Sequence, residues 1–130
     1  MIYRQLRPAE TADGRPVYIA RMSSSYVVLV QLTALPEWLQ LDRGARQQVI
    51  ETRVQPVLDA YPECRVRWID TEALTAVCSD LMLVETTDLE RWYHLWEGIR
   101  DTPIFSVPYF QVEAIIPGIE DGYVAYELAG

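Results

Sequence analysis

An α+β fold of order strand–helix–strand–strand–helix–strand is what this 130-residue sequence predicts, on three observations. Four short segments alternate apolar and polar residues or are dense in β-branched and aromatic types. Two longer segments repeat apolar residues at helical spacing. The stretch Arg100 to Tyr123, RDTPIFSVPYFQVEAIIPGIEDGY, reads as a helix end, a loop stiffened by prolines, a strand and a Pro-Gly turn. That order is the ferredoxin-like split βαβ arrangement, an antiparallel sheet carrying two helices on one face.

Each element has its own signal. Tyr26 to Thr33 (YVVLVQLT) is the first strand. Pro36-Glu37-Trp38 opens the next element with Pro in a first helical turn. Asp42 caps a longer helix with apolar positions Ala45, Val49, Ile50, Val54, Val57, Leu58 and Tyr61, and Pro56 should kink or restart it. Cys64 to Asp70 (CRVRWID) is the second strand, and TEALTAV after it fits either a helical turn or more strand. Cys78-Ser79-Asp80 carries turn chemistry, and Leu81 to Thr86 is the third strand. Thr87-Asp88 caps the second helix, whose stripe is Leu89, Trp92, Tyr93, Trp96 and Ile99, with Asp88 and Glu90 at its positive end. Tyr109 to Ile116 is the fourth strand, ended by Pro117-Gly118.

Residues 24–130 form one domain of a size that buries a sizeable core without a metal or disulfide staple. Residues 1–23 mix Arg, Pro, Gly and acids around a short apolar run and read as an N-terminal extension or an extra edge strand. If the second hairpin turns near Thr71, Cys64 and Cys78 face each other. If it turns near Ser79, tens of ångströms part them. The turn residues favour the later position and hence two free thiols, which suits a reducing compartment.

Composition excludes several classes. Net charge is −8 and the eleven basic residues are scattered, so neither nucleic acid nor an anionic membrane is an expected partner. All eleven are Arg. Without Lys there is no side-chain Schiff base and no phosphate-loop lysine. A single histidine, His94, excludes a multi-histidine metal site. No apolar run reaches membrane-spanning length and no signal-peptide pattern follows Met1, so a cytoplasmic location is expected.

The strings LPEWLQL (Leu35–Leu41), ETTDLERWY (Glu85–Tyr93), RDTPIFSVPYF (Arg100–Phe110) and IIPGIEDGY (Ile115–Tyr123) resemble the darcynin-like family of small bacterial proteins, from about Tyr26 to Tyr126. The resemblance implies a dimeric α+β barrel and brings no catalytic residue with it. The wider superfamily it points to holds cofactor-free monooxygenases, isomerases, cyclases and dehydratases, haem proteins and ligand-binding regulators. Fold likeness alone is a weak guide to function.

Three constellations are candidate sites. His94 is the reflex choice for a general base or haem ligand. The helical wheel instead puts it opposite the apolar stripe, beside Glu90, Glu97 and Asp101, where a solvated pair with Glu90 at i,i+4 is the ordinary reading. The second constellation lies on the sheet face away from the helices. If Val28, Val30, Leu32, Met82, Val84, Phe110, Val112 and Ala114 face the helices, then Gln31, Glu85, Gln111 and Glu113 face the other way, joined by Arg65 or Arg67. Carboxylates partly desolvated there would serve as acid and base, with Arg67 stabilising developing charge. A structural ion-pair network at a dimer interface is the competing reading. The third is aromatic: Tyr26, Trp68, Met82, Trp92, Trp96 and Phe110 can meet between sheet and helices, with Asp70 as polar anchor, as a pocket for an apolar ligand or as ordinary core.

The open face also carries Leu29, Leu83 and Ile115, too many apolar residues to leave in water, so a homodimer closing face to face is expected. The function expected is a cofactor-independent enzyme acting on a hydrophobic small molecule of specialised metabolism, polyketide-like or aromatic. Isomerisation or cyclisation is the favoured class. Glu85 and Glu113 would handle protons, Arg67 would stabilise charge, and neither metal nor cofactor is expected. The alternatives are a cofactor-free monooxygenase and a non-catalytic binding or dimeric interaction protein.

Overall fold

The computed structural model describes residues 24–130, together with two short strands before them. These are β1 (Ala9–Glu10) and β2 (Pro16–Val17), which pair with each other in a ladder of their own. The rest of the expected extension, 1–23, lies outside the described residues.

Four antiparallel strands make the main sheet: β3 (Tyr26–Ala34), β4 (Cys64–Asp70), β5 (Asp80–Thr86) and β6 (Phe110–Ile119), in spatial order β4-β5-β3-β6. This is the predicted split βαβ arrangement, with the first and third strands central and the second and fourth at the edges. The alternation is plain in β5, where Met82, Val84 and Thr86 are buried and their neighbours are not. Val28, Val30 and Leu32 repeat the pattern in β3.

Helices cover that buried face. After α1 (Pro36–Leu39), α2 (Arg43–Val49) starts where Asp42 accepts the Ala45 amide at 2.7 Å. A π-helical turn, Ile50–Val54, follows, and α3 (Gln55–Asp59) completes the arm. Pro56 explains the wide turn. It has no N–H to give, and its ring would press on the carbonyl one turn back. The ladder therefore widens just before it, and the Gln55 amide bonds to the Ile50 carbonyl, five residues earlier.

The second arm is α4 (Leu89–Arg100), opened by Asp88 accepting the Arg91 amide at 3.1 Å. Its buried residues are Trp92, Leu95, Trp96 and Ile99. The expected stripe is corrected at three positions: Leu89 and Tyr93 are exposed, and Leu95 is fully buried. Leu95 lies beyond Ile99 on the wheel, on the side away from Leu89 and Tyr93, so the stripe is rotated toward it. The two arms meet closely at Gly98, where a Cβ would sit 2.8 Å from Val57 Cγ1.

Two expectations about β6 are overturned. The strand does not end at Pro117-Gly118 but runs to Ile119, with Pro117 paired to Val28 and Gly118 to Val27. Pro is tolerated there because β6 is an edge strand and needs its N–H on one side only. The register also shifts between Gln31 and Leu32, where Gln31 opposes Ala114 and Leu32 opposes Val112. Glu113 is the extra residue of this bulge. Beyond it the phase inverts, so Ile115 pairs with Val30 on the helix side and Ile116 with Leu29 on the open face. Ala114 likewise changes sides.

The remaining pieces are α5 (Pro103–Ser106), capped by Thr102, a cis Val107–Pro108 peptide, and α6 (Gly122–Ala129). The acidic Glu120-Asp121 turn is the bend into α6, with Asp121 at φ 51°. Cys64 pairs with Thr86 at one end of the β4–β5 hairpin and Cys78 lies in the loop at the other. Both are buried free thiols. Burial pushes the Cys64 thiol up, against a hydrogen bond with Thr86 that lowers it, which disfavours the thiolate.

A candidate apolar cavity with one carboxylate

A cavity of about 250 Å³ lies between the helix-side face of the sheet and the helices. The sheet supplies its floor through Leu32, Trp68, Asp80, Met82 and Phe110. Ile50 and Val54 reach it from the widened π turn, and Trp96 and Ile99 from α4. Trp38 of α1 and Ile104 and Phe105 of α5 close the end. The rings brace one another: Trp38 lies 5.1 Å from Phe110 and 5.3 Å from Tyr109, and Trp96 meets Phe105 edge-on at 5.3 Å. Arg46 fixes α1 by donating to the Trp38 and Leu39 carbonyls. Trp68, 48% exposed on edge strand β4, marks the mouth.

Among the described residues, the lining is apolar except for Asp80. Desolvation by burial raises its carboxyl above the ordinary aspartate value. A hydrogen bond from Ser79 Oγ at 2.8 Å opposes the shift, and the charge of Asp70 adds to it. Asp70 stands directly opposite Asp80 across the β4–β5 ladder. A carboxyl in this state can hold or release a proton near a bound molecule.

Of the seven expected pocket residues, Trp68, Met82, Trp96 and Phe110 come together here. Three do not. Tyr26 is at the far end of β3, paired with Thr86 and Ile119. Trp92 is buried behind the wall, stacked on Trp96 at 5.5 Å. Asp70 is exposed outside the lining and accepts the Glu72 amide, so the polar anchor is Asp80 instead. The signal for Asp80 was available, because it keeps step with Met82 and Val84 at i, i+2 and i+4. A strand read from Leu81 places it in the turn. Trp38 gave no periodic signal in a four-residue helix.

The expected catalytic group on the open face is not assembled. Arg67 and Glu85 are paired at 2.9 Å, both substantially exposed. Glu113 is two strands away from Glu85 on β6, and about four to five residues further along the ladder. At about 3.3 Å per residue and 4.8 Å per strand, more than ~15 Å separates them. Glu113 is exposed at the bulge. The open face therefore holds an ion pair and a remote carboxylate, without a shared site. His94 lies on the outer side of α4, 45% exposed, with Nε2 3.9 Å from Glu90 Oε1.

Among solved structures, the chain superposes on chlorite dismutases from Candidatus Nitrospira defluvii. One variant gives a TM-score of 0.66 at 18% identity, covering 85% of this chain and 47% of that one. Another, in complex with imidazole, gives 0.65 at 12%, covering 78% and 42%. The chain thus spans a little under half the length of these proteins, and the likeness establishes its fold as an α+β sheet of that ferredoxin-like type. Its sequence matches the family described as Darcynin, domain of unknown function, over residues 13–129, and the chain belongs to that family. Darcynin 1 of Acinetobacter baumannii is 42% identical over 89 residues, 68% of this chain and 99% of that protein. Darcynin of Chromobacterium violaceum is 42% identical over 74 residues, 57% and 94%. A darcynin homolog of Streptomyces avermitilis is 34% identical over 97 residues, 74% and 78%.

The superfamily that the sequence resemblance points to includes haem proteins, and a haem would need an axial ligand in this cavity. Haem iron takes an axial His, Cys or Tyr, or Met with a His opposite. Among the described residues the walls offer no imidazole, thiol or phenol, and His94 is on the wrong side of α4 for Met82. The residues present do not fit a haem in this cavity. Among the described residues, no group of three or more His, Cys, Asp or Glu could hold a metal ion, and no helix is long and apolar enough to cross a membrane.

Proposed function

We propose that this protein binds a small, ring-bearing apolar molecule between sheet and helices and moves a proton on it through Asp80. Isomerisation or cyclisation of a specialised-metabolism intermediate is the favoured reaction. The observation that carries the reading is a desolvated carboxyl at one end of an otherwise aromatic and aliphatic cavity. Enclosed apolar space with one or two convergent polar groups is the usual form of a ligand site. At about 250 Å³ the space is just below the ~300–1,000 Å³ of drug-sized pockets, which favours one or two rings. A cofactor-free oxygenation would use the same parts.

The test uses a library of one- and two-ring compounds, watched through the indole N–H signals of Trp38, Trp68 and Trp96. Ligands that bind are then incubated in D2O. The reading expects deuterium at carbon in at least one of them with the natural protein and none with Asp80→Asn. Binding without exchange supports the non-catalytic alternative. Absence of binding, with Ile104→Trp indistinguishable from the natural protein, removes the pocket reading.

We also propose a homodimer through the open sheet face. Leu29, Leu83, Ile69 and Ile116 are apolar on that face, and Ile69 and Ile116 are exposed. The apolar helix α6, with Tyr123, Tyr126 and Leu128 exposed and no buried residue, would pack on the same partner.

A further inference from the structure

We infer that the cavity is shaped for an organic cation, a protonated or quaternary amine on an apolar body, with Asp80 as its counter-ion. The inference rests on the pocket reading above and narrows it to one charge class.

The walls come first. Trp38, Trp68 and Trp96 bring three indoles to one small space, and Phe105 and Phe110 add two phenyl rings. The faces of such rings carry negative potential, indole most of all, and they attract ammonium groups, more strongly where water is displaced.

Charge balance points the same way. Among the described residues, Asp80 is the one ionisable side chain in the lining, and no Arg is part of it. The guanidinium of Arg46 is placed over Trp38 at 5.9 Å, and its N–H groups go to main-chain carbonyls. An anionic ligand would set its charge beside Asp80 with no cation to offset it. A neutral ligand would fill the space but leave the part-buried carboxylate, held by Ser79 alone, without a counter-charge, or require it to take up a proton. A cation pairs it and favours the ionised form. Ser79 donates to Oδ2, which leaves Oδ1 for the ligand.

The approach is also negative. Asp70 opposes Asp80 across the ladder beside the exposed Trp68, on a protein of net charge −8. Clefts lined by one sign of charge raise the local concentration of the opposite ion.

The test is calorimetric titration of the full chain with three size-matched probes. Benzyltrimethylammonium has a fixed charge, so pH acts on the protein alone. Neopentylbenzene is its neutral isostere, and phenylacetate is anionic. At pH 8 the ammonium should bind at least about tenfold tighter than the isostere, and phenylacetate not at all. The preference should shrink as pH falls through the Asp80 titration, and Asp80→Asn should abolish it while keeping the isostere's affinity. Trp68→Leu, at the exposed mouth, should lower the ammonium's affinity alone. Equal or tighter binding of the isostere, or an unchanged preference in Asp80→Asn, overturns the cation inference and leaves the pocket standing. If none of the probes binds natural protein that unfolds cooperatively, both readings fall.

Discussion

Ser79 Oγ lies 2.8 Å from Asp80 Oδ2 and 2.7 Å from the Ala34 amide nitrogen, so one hydroxyl ties the carboxylate of the cavity to the end of β3. The Leu32 carbonyl is also within reach, at 3.2 Å. When Asp80 is ionised, the hydroxyl donates to it. When Asp80 is protonated, the hydroxyl can turn to Leu32 and accept from the acid. Both states of Asp80 are thereby satisfied, as a proton-transferring group requires. Ser79→Ala should raise the Asp80 pKa further, because the bond that holds it down is gone. It should also cost about 1–2 kcal/mol, because the Ala34 N–H loses its side-chain acceptor. Carboxyl carbon NMR titration reads the first effect and urea unfolding the second. A titration midpoint that stays put or falls would remove Ser79 from this role.

Asp80 also sets a direction for stability against pH. Its folded pKa is raised above the unfolded value, about 3.9. The stability linked to it is fully present below that value and is lost as pH rises through the folded pKa. Asp80→Asn removes that loss and keeps an oxygen for Ser79. The variant should therefore unfold at the same or a higher temperature than the natural protein at pH 7. At pH 3 the advantage should be gone. Thermal unfolding at the two pH values checks the sign, and a variant less stable at pH 7 than at pH 3, relative to the natural protein, would contradict it.

The contact at Gly98 gives a packing prediction. In a helix interior Ala is ordinarily better than Gly by roughly 0.5–1 kcal/mol. Here the added Cβ would come within 2.8 Å of Val57 Cγ1, closer than such atoms approach. The clash should win, making Gly98→Ala destabilising by about 1–3 kcal/mol. Val57→Ala removes the methyl in the way, so the double variant should be less damaged than the sum of the single ones. Urea unfolding of the four proteins measures that coupling.

Strand order, both helix caps and the buried faces of β3 and β5 were legible because period and capping chemistry are local properties. Asp42 and Asp88 cap where their sequence neighbours say they should. What failed was non-local. The bulge at Glu113 depends on how β6 meets β3, and one extra residue moved Ile115 from the open face to the helix side and put Ile116 on the open face. Pro117 looked like a terminator because Pro-Gly carries turn chemistry, but an edge strand tolerates the missing N–H. The site was half legible for the same reason. Trp68, Met82, Trp96 and Phe110 sit on periodic apolar faces, whereas Trp38 reaches the cavity from a short helix placed by Arg46. Glu85 and Glu113 share a face by period alone, and the strand register that sets them far apart along the ladder is a non-local property.

The open face yields the last prediction. Leu29 and Leu83 pair directly at its centre, Ile116 lies beside Leu29, and Arg67 lies beside Leu83 with its charge held by Glu85. If this face closes on a second copy, a charge at its centre should be ruinous to assembly and mild for the fold. Leu83→Glu meets that need, because Arg67 is at hand to partner the new carboxylate in a monomer. The natural protein should scatter light in solution at twice its 15.0 kDa chain mass, and Leu83→Glu at the single mass, with helix and strand content unchanged by circular dichroism. Arg67→Ala, which removes an exposed pair worth at most about 1 kcal/mol, should leave the monomer folded and serves as the mild control. A natural protein that is monomeric at micromolar concentration would show that the face is covered by something else or by nothing. A dimer untouched by Leu83→Glu would move the interface elsewhere, with the exposed apolar face of α6 the next surface to mutate through Tyr126 and Leu128.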